Sequence, residues 1–322
     1  QPSVESSDRP STCPTSIPSL SQSPTILTAR NWSAQILDAR WLTSVAAVNG
    51  KTITCGGTLS AVCFQFHNPT GQLSAVTAMS WDQINGIAVV EGDLIIVGQW
   101  NGGTKYTISR YNLRDQHLIW VIQMTSNLAR FQAVSFHSSI RSIISAGNND
   151  GKHAVAAAFK KEDGGLQWGY SYEISGLNTY VTDIKPLPYF TGSCLAGYVS
   201  DPGNGHKISM LLIKIGPFGV VLSMHSVATI TGSALVNGAA VDSTSGDAII
   251  VGMTFGGLST NSIVVKVHTS GRDGGIAWAV EYDSGFDEKF VDVVISEEDV
   301  FILGTSTGFP SYGKQDALIL HL

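Results

Sequence analysis

Short apolar runs alternate with polar turns along most of the chain. From about residue 30 onward, β-branched and aliphatic runs such as Leu94 to Val97 are separated by clusters of Gly, Asn, Asp and Ser. No stretch repeats its apolar positions with the 3.6-residue period of an amphipathic helix, and the runs have the length of strands. The pattern therefore predicts an all-β fold.

A glycine directly after an apolar run marks an internal repeat. The mark occurs at Gly56, Gly98, Gly147, Gly197, Gly252 and Gly304. Successive glycines are 42 to 55 residues apart, which is the length of one four-stranded propeller blade with its loops. One apolar run precedes each marked run and another follows it. The repeat predicts a six-bladed β-propeller of four-stranded antiparallel blades.

The fourth strand of several repeats carries a tryptophan. In three units an Asp precedes a Trp by five residues: Asp115 and Trp120, Asp163 and Trp168, Asp273 and Trp278. The Asp-Gly pairs predict a tight turn before this strand, because glycine adopts positive φ at no steric cost. We expect Trp120, Trp168 and Trp278 to pack between blades. The first and fourth units lack this tryptophan.

The last repeat stops one strand short, which predicts how the ring closes. The chain ends at Leu322 before a fourth strand, whereas a similar Trp-bearing segment, with Asn31 and Trp32, lies at residues 30–36. Pairing this segment with the last blade leaves no open edge, and Trp32 then packs between blades like its counterparts. Residues 29–322 are therefore predicted to form the propeller, and residues 1–28 an extended tail.

The best-matching repeat also resembles a known group of proteins. Ile263 to Gly271 and Ile276 to Trp278 resemble bacterial-type, quinoprotein-like β-propeller repeats, in which an apolar strand ends in Gly and the last strand carries Trp. The resemblance implies the fold. Some of those families bind a quinone and oxidise alcohols or sugars, but no residues here match such a site, so we predict no cofactor.

Composition bears on compartment and partners. Charged residues make up 14% of the chain and the formal net charge is −6, which gives no basic surface for nucleic acid or anionic membranes. No apolar run is long enough to span a membrane. The chain begins at Gln1 rather than Met, which we interpret as removal of a signal peptide, so the protein is predicted to be secreted.

Four cysteines suit an oxidising compartment. Cys55 and Cys63 flank a short hairpin and face one another if its turn centres on Leu59, so a cross-strand disulfide is predicted. Cys13 would then pair with Cys194 and tether the tail, within one chain or between chains. The alternative is four buried free thiols. No clustered Cys and His residues indicate a metal site.

The tail suggests a structural function. Residues 1–24 contain eight Ser and five of the 11 Pro, so they cannot form a core of their own. We predict a secreted structural propeller whose residues 1–28 lie along another copy and join copies into a fibre or sheath. The alternative is that the tail folds back on its own propeller. Asn31 begins the one Asn-X-Ser/Thr sequon without proline and is a candidate glycan site.

Two other functions remain open. A carbohydrate- or peptide-binding propeller would use Trp41, Trp81 and Trp100, which lie outside the repeated tryptophan position and are free to stack on a ligand at the channel mouth. The same three residues are equally suited to packing between blades. A hydrolase or quinoprotein-type enzyme is the third possibility, although no catalytic set of residues is identifiable, so we predict that the protein is not an enzyme.

Overall fold

The computed structural model describes most of the chain after residue 41. The described residues are 42–48, 51–56, 61–67, 73–79, 83–100, 105–124, 130–149, 151–188, 192–227, 232–255, 260–269, 275–296, 299–307 and 316–322. These ranges contain β-strands and one short 3-10 turn, Pro202–Asn204. The predicted tail and the predicted closing segment at residues 30–36 lie outside them.

The strands form six antiparallel sheets, which we call blades 1 to 6. Blade 1 contains β1 (Leu42–Val48), β2 (Lys51–Gly56), β3 (Ala61–His67) and β4 (Leu73–Met79). Blade 2 contains β5 (Gln83–Val90), β6 (Asp93–Trp100), β7 (Lys105–Asn112) and β8 (His117–Met124). Blade 3 contains β9 (Arg130–His137), β10 (Ser142–Asn149), β11 (His153–Lys160) and β12 (Leu166–Tyr172).

The second half of the chain repeats this arrangement. Blade 4 contains β13 (Asn178–Pro186), β14 (Ser193–Asp201), β15 (Lys207–Ile215) and β16 (Val221–Val227). Blade 5 contains β17 (Ser233–Val241), β18 (Ala248–Phe255), β19 (Asn261–Val267) and β20 (Ile276–Tyr282). Blade 6 contains β21 (Glu288–Ser296), β22 (Asp299–Ser306) and β23 (Asp316–His321). Within every blade each strand pairs with the next along the chain, which confirms the predicted all-β repeat.

Apolar side chains fill the spaces between successive blades. Five buried clusters lie at the five joins from blade 1 to blade 6, with aliphatic residues from both sheets in each. Blades 3 and 4 join through small alanines such as Ala156 on one side and larger residues such as Leu211 on the other. Because both faces of each central strand are covered, these strands read as continuous apolar runs rather than alternating ones.

The repeated glycine has a steric cause. The first strand of each blade bulges beside the second strand at this level, as between Ala146 and Gly147 in blade 3. A Cβ on Gly147 would lie 1.9 Å from the carbonyl oxygen of Arg130, a distance that no side chain tolerates. A Cβ on Gly98, Gly197 or Gly252 would likewise lie within 2.0 Å of a carbonyl oxygen in the first strand of its blade. Only glycine lets the two strands approach this closely.

Polar contacts also join blades 2 to 5 to one another, each to the next one along the chain. The Trp120 indole Nε1 donates to the carbonyl of Lys161 at 3.0 Å, and the Trp168 indole Nε1 donates to the carbonyl of Pro217 at 2.8 Å. Both acceptors lie in the turn before the outer strand of the following blade. In blade 4, where Ser223 takes the tryptophan position, Lys214 Nζ donates instead to the equivalent carbonyl, Thr269, at 2.9 Å.

Blade 6 differs from the others on the side away from blade 5. Val294, Leu303 and Ile319 are exposed there, although they are large and apolar. The first strands of successive blades pack against one another from β1 to β21. Among the described residues, β21 has no comparable packing against β1. The seam between blades 6 and 1 is therefore open in the part of the chain that the structure describes.

Candidate functional sites

The rim of the propeller carries an unusual number of exposed apolar side chains. The outer strands β8, β12, β16 and β20 each have only one paired edge among the described strands, and each presents large apolar residues to solvent. An edge strand that exposes apolar side chains favours pairing with another chain. The rim is therefore the first candidate site.

Blade 4 has the densest group of these residues, which we call the rim patch. Phe218, Val220, Val221, Leu222 and Met224 are all exposed, and Phe218 is 73% accessible. Large apolar patches on a soluble protein commonly mark a site of interaction with another protein. The sequence signal was visible: Val220–Val227, where the repeat lacks its tryptophan, is more apolar than a solvent-facing strand requires.

A second candidate site lies on the axis of the blades. A cavity of about 400 Å³ is lined by residues from all six blades, among them Val45, Asn85, Gln132, Asp183, Asn237 and Asp292. Several of these residues belong to the bulges opposite the repeated glycines. The bulge that forces glycine on the second strand therefore also turns a side chain of the first strand into the cavity.

Hydrogen bonds fix the polar residues around this cavity. Asn85 Nδ2 donates to the carbonyl of Phe131 at 2.8 Å, and Asn237 Nδ2 donates to the carbonyl of Phe290 at 2.6 Å. Each bond crosses from one blade to the next. The amide groups are thereby held in place, and their Oδ1 atoms are the acceptors that remain.

Three charged groups lie together on one side of the cavity. Lys185 Nζ is 3.1 Å from Asp183 Oδ2, and Asp292 is close enough to both for its charge to act on them. Burial opposes the ammonium form of Lys185, but the carboxylates of Asp183 and Asp292 outweigh it and raise the pKa of Lys185. Burial raises the pKa of Asp292, with Lys185 opposing this and Asp183 adding to it.

The cysteines confirm one predicted pairing, and the other involves a residue outside the described ranges. Cys55 and Cys63 form a disulfide between directly opposed residues of β2 and β3, within the core shared by blades 1 and 2. Cys194, the predicted partner of Cys13, is a free thiol in this single chain, and its pairing with Cys13 stays a prediction. It lies on β14 in the core between blades 4 and 5, where burial raises its pKa to about 12. Cys13 lies outside the described residues.

The predicted tryptophan sites divide into two groups. Trp120, Trp168 and Trp278 are half-buried and pack against the cores between their own blade and the next. Trp32, Trp41, Trp81 and the sequon at Asn31 lie outside the described residues, and Trp100 is the last residue of β6. Stacking of a ligand on Trp41, Trp81 or Trp100 therefore stays a prediction.

Within the described ranges, no group of three or more His, Cys, Asp or Glu side chains is placed to hold a metal ion. No helix in the same ranges has the length and apolar character needed to cross a membrane.

Comparison with known proteins shows the architecture. No family model matches the chain, and no curated protein matches it in sequence. Hydrazine synthase from Kuenenia stuttgartiensis is similar in structure, with a TM-score of 0.63 and 10% identity over 85% of this chain and 80% of that one.

Two further solved structures are similar over most of their length. A chain of the mitotic checkpoint complex has a TM-score of 0.58 and 11% identity, over 86% of this chain and 76% of that one. The Swd1 β-propeller domain from Myceliophteria thermophila has a TM-score of 0.54 and 9% identity, over 87% of this chain and 86% of that one. At such low identity the likeness concerns architecture alone, and it shows that the chain has the fold of a β-propeller.

Proposed function

We propose that the protein is an extracellular interaction propeller that joins further copies of itself through residues 1–28. The observation that carries the proposal is the rim patch on blade 4. In the proposed contact, the N-terminal segment of one copy lies along the free edge of β16 in the next copy. Such a head-to-tail contact uses two different surfaces, so it propagates into a fibre or sheath rather than closing into a dimer.

The chemistry of the two partners supports this contact. Among the described strands β16 pairs only with β15, so its other edge offers backbone N–H and C=O groups to an added strand. The rim patch offers apolar contacts for alternate side chains of that strand. Residues 25–28, Thr-Ile-Leu-Thr, form a short segment with strand-forming residues at the end of the Pro-spaced tail. The tail is nearly neutral, which matches an apolar rather than a charged surface.

The disulfide supports an extracellular location. Disulfides persist in oxidising compartments and are rare in reducing ones, and Cys55–Cys63 is a directly opposed pair in a buried core. A glycan on Asn31 and the Ser/Pro-rich composition of the tail fit the same compartment.

The seam on blade 6 supports a separate role for the next segment of the chain. We assign residues 30–36 to the free edge of β23 in the same molecule, where they complete a fourth strand. In the sequence repeat, Trp32 corresponds to Trp168 and Trp278. This strand would cover part of the exposed apolar side of blade 6.

The assembly proposal is tested by electron microscopy and solution mass on the full chain and on a variant lacking residues 1–28. We expect filaments or higher-mass species from the full chain and monomers from the truncation, with equal melting temperatures. Leu222→Ser should also abolish assembly, whereas Leu166→Ser, which changes a comparably exposed leucine on blade 3, should not. Monomers from the full chain, or equal effects of the two substitutions, contradict the proposal.

The closure assignment has its own test. A variant lacking residues 1–36 should melt at a markedly lower temperature than one lacking residues 1–28, because the fourth strand of blade 6 is lost. Equal melting temperatures rule out residues 30–36 as that strand.

Binding of a carbohydrate or peptide is the second candidate function, and the axial cavity favours it. The cavity has the volume of a small-molecule site and polar groups that converge from several blades. The two functions use different surfaces and are compatible with one another.

A further inference from the structure

In blades 2 to 6 the repeat places one residue at the same register position, immediately after the bulge. In blades 2 and 3 this residue is small, Gly86 or Ala133. The equivalent residue of blade 5 is Gly238, which lies beside Asp292. In blades 4 and 6 it is a carboxylate, Asp183 or Asp292. The cavity therefore has an acidic side at blades 4 to 6, where Gly238 lies between the two strands that carry Asp183 and Asp292, and small residues at blades 2 and 3.

The two carboxylates are not equivalent. Both carboxylate oxygens of Asp183 have partners. Oδ2 accepts the backbone N–H of Ala239 at 2.9 Å and lies close to Lys185 Nζ, and Oδ1 accepts the N–H of Ile184 at 2.8 Å. These bonds connect blade 4 to blade 5. Asp183 and its lysine therefore have a structural role in holding the wall of the cavity.

Asp292 has fewer partners. Its Oδ1 accepts the backbone N–H of Val293 at 2.8 Å, and among the described residues no Lys, Arg or His nitrogen lies within ion-pairing distance of it. Lys185 influences Asp292 only through its charge. A half-buried carboxylate without a directly bonded cation is costly, and a cationic ligand would compensate for that cost.

Glycine preserves the space beside this carboxylate. A Cβ on Gly238 would lie 3.0 Å from Asp292 Oδ1 and 2.9 Å from the Asp292 Cα. Any larger residue at this position of blade 5 would press against Asp292. The carboxylate therefore remains accessible from the cavity, although its neighbours pack closely.

The remaining polar groups of the cavity include several hydrogen-bond acceptors. Asn85 and Asn237 each donate one amide hydrogen to a backbone carbonyl, which leaves one N–H and the acceptor Oδ1 of each amide. The Oδ1 atoms are the groups that a donor-rich ligand can use. Thr182 donates its hydroxyl to the carbonyl of Ala196. A site with a free carboxylate and several acceptors is complementary to a group that has only donors and a positive charge. A primary ammonium, with three N–H donors, has these properties.

We infer that the axial cavity binds a primary ammonium group through Asp292, with the amide oxygens of the wall as further acceptors. The volume of about 400 Å³ accommodates a molecule with a single ring or a lysine side chain. The ammonium group comes either from a free amine, such as an amino sugar, or from a lysine that a partner protein inserts. This inference is independent of the assembly proposed above, because it uses a different surface.

Glucosamine and glucose form a matched pair of probes, because they differ only in the ammonium group. Titration calorimetry on the full chain at pH 6.5 should show binding of glucosamine at least tenfold tighter than that of glucose. Asp292→Asn should weaken glucosamine binding by tenfold or more, because the charge-assisted bond is lost while the shape is kept. Asp299→Asn is the matched control, since Asp299 is an exposed carboxylate of the same blade that pairs with His321.

A substitution of the lysine gives the sharpest test. Lys185→Met removes the positive charge that competes for the acidic side of the cavity, so glucosamine should bind several-fold tighter. Asp183 keeps its two backbone N–H donors in this variant. A structural defect would weaken the binding of every probe instead. Thermal melts of each variant verify that the fold is intact.

Nα-acetyl-lysine methylamide distinguishes the two sources of the ammonium group. Tighter binding of this probe than of glucosamine indicates a lysine side chain, and the reverse order indicates a free amine. Both results support the inference if they depend on Asp292. The inference is overturned if neither amine binds, if glucose binds as tightly as glucosamine, or if Asp292→Asn leaves amine binding unchanged.

Discussion

Gly147→Ala tests the steric explanation of the repeat most directly. The substitution adds one methyl group at the bulge of blade 3, where the new Cβ would lie 1.9 Å from the Arg130 carbonyl oxygen and 2.8 Å from the Phe131 Cα. Both neighbours are backbone atoms, so a rotamer change cannot relieve the overlap. β9 and β10 must move apart by about 1 Å to reach the closest contact that real side chains make.

The cost follows from what this movement disrupts. Overpacking of a well-packed interior costs about 1–3 kcal/mol. The separation also weakens the backbone pairs of β10 with β9 at Gly147, and each lost hydrogen bond costs about 1 kcal/mol more. Phe131, which is 1% exposed and belongs to the core between blades 2 and 3, moves with its strand. We expect a loss of about 3–5 kcal/mol in the free energy of unfolding, or about 8 °C in melting temperature.

Gly169→Ala in the same blade is the matched control. Gly169 lies on the outer strand β12, and a Cβ there would meet nothing closer than 3.6 Å. Adding this methyl group should leave stability unchanged or raise it by about 0.5–1 kcal/mol, because alanine restricts the unfolded chain. Urea unfolding of both variants, followed by tryptophan fluorescence, gives the comparison. Free energies of unfolding within about 0.5 kcal/mol of each other would refute the steric reasoning.

Three further predictions concern single side chains. Trp168→Phe should lower the free energy of unfolding by about 1–3 kcal/mol, since the bond to the Pro217 carbonyl is lost; a urea midpoint equal to wild type would contradict this. Reduction of Cys55–Cys63 should lower the free energy of unfolding by about 2–3 kcal/mol, measured by urea unfolding with and without reductant. Equal free energies would show that the disulfide does not contribute to stability. Burial in the folded state raises the pKa of the Cys194 thiol to about 12, against 9.0 for an unperturbed thiol. The contribution of the protonated thiol to the free energy of unfolding is therefore complete below pH 9 and declines between pH 9 and 12. Cys194→Ala should flatten the alkaline loss of stability, and parallel pH curves would exclude the thiol as its cause.

The strands and their order were predictable because the repeat acts at short range. An apolar run with a following glycine identifies the second strand of each blade, and even the repeats without tryptophan, at Leu73–Met79 and Val221–Val227, have their outer strand where the pattern places it. The pairing of Cys55 with Cys63 was predictable for the same reason, since one hairpin brings them together.

The candidate sites were much less predictable, because they depend on residues from distant blades. Asp183 and Asp292 are more than 100 positions apart in the sequence, and neither belongs to a motif. Only the register of the bulges shows that they share one level of the cavity. Counting cysteines has a similar limit: it gives pairs, but it does not reveal that the Cys194 thiol is enclosed in a core between two sheets.

The contacts from one blade to the turn before the outer strand of the next have a direction, and this direction bears on how the protein folds during synthesis. In the three joins that use Trp120, Trp168 and Lys214, the donor belongs to the earlier blade and the acceptor to the turn of the later one. A blade that has left the ribosome is therefore incomplete until its successor has folded against it. If each new sheet stabilises the one before it in this way, the blades are expected to fold in chain order, from blade 2 to blade 5.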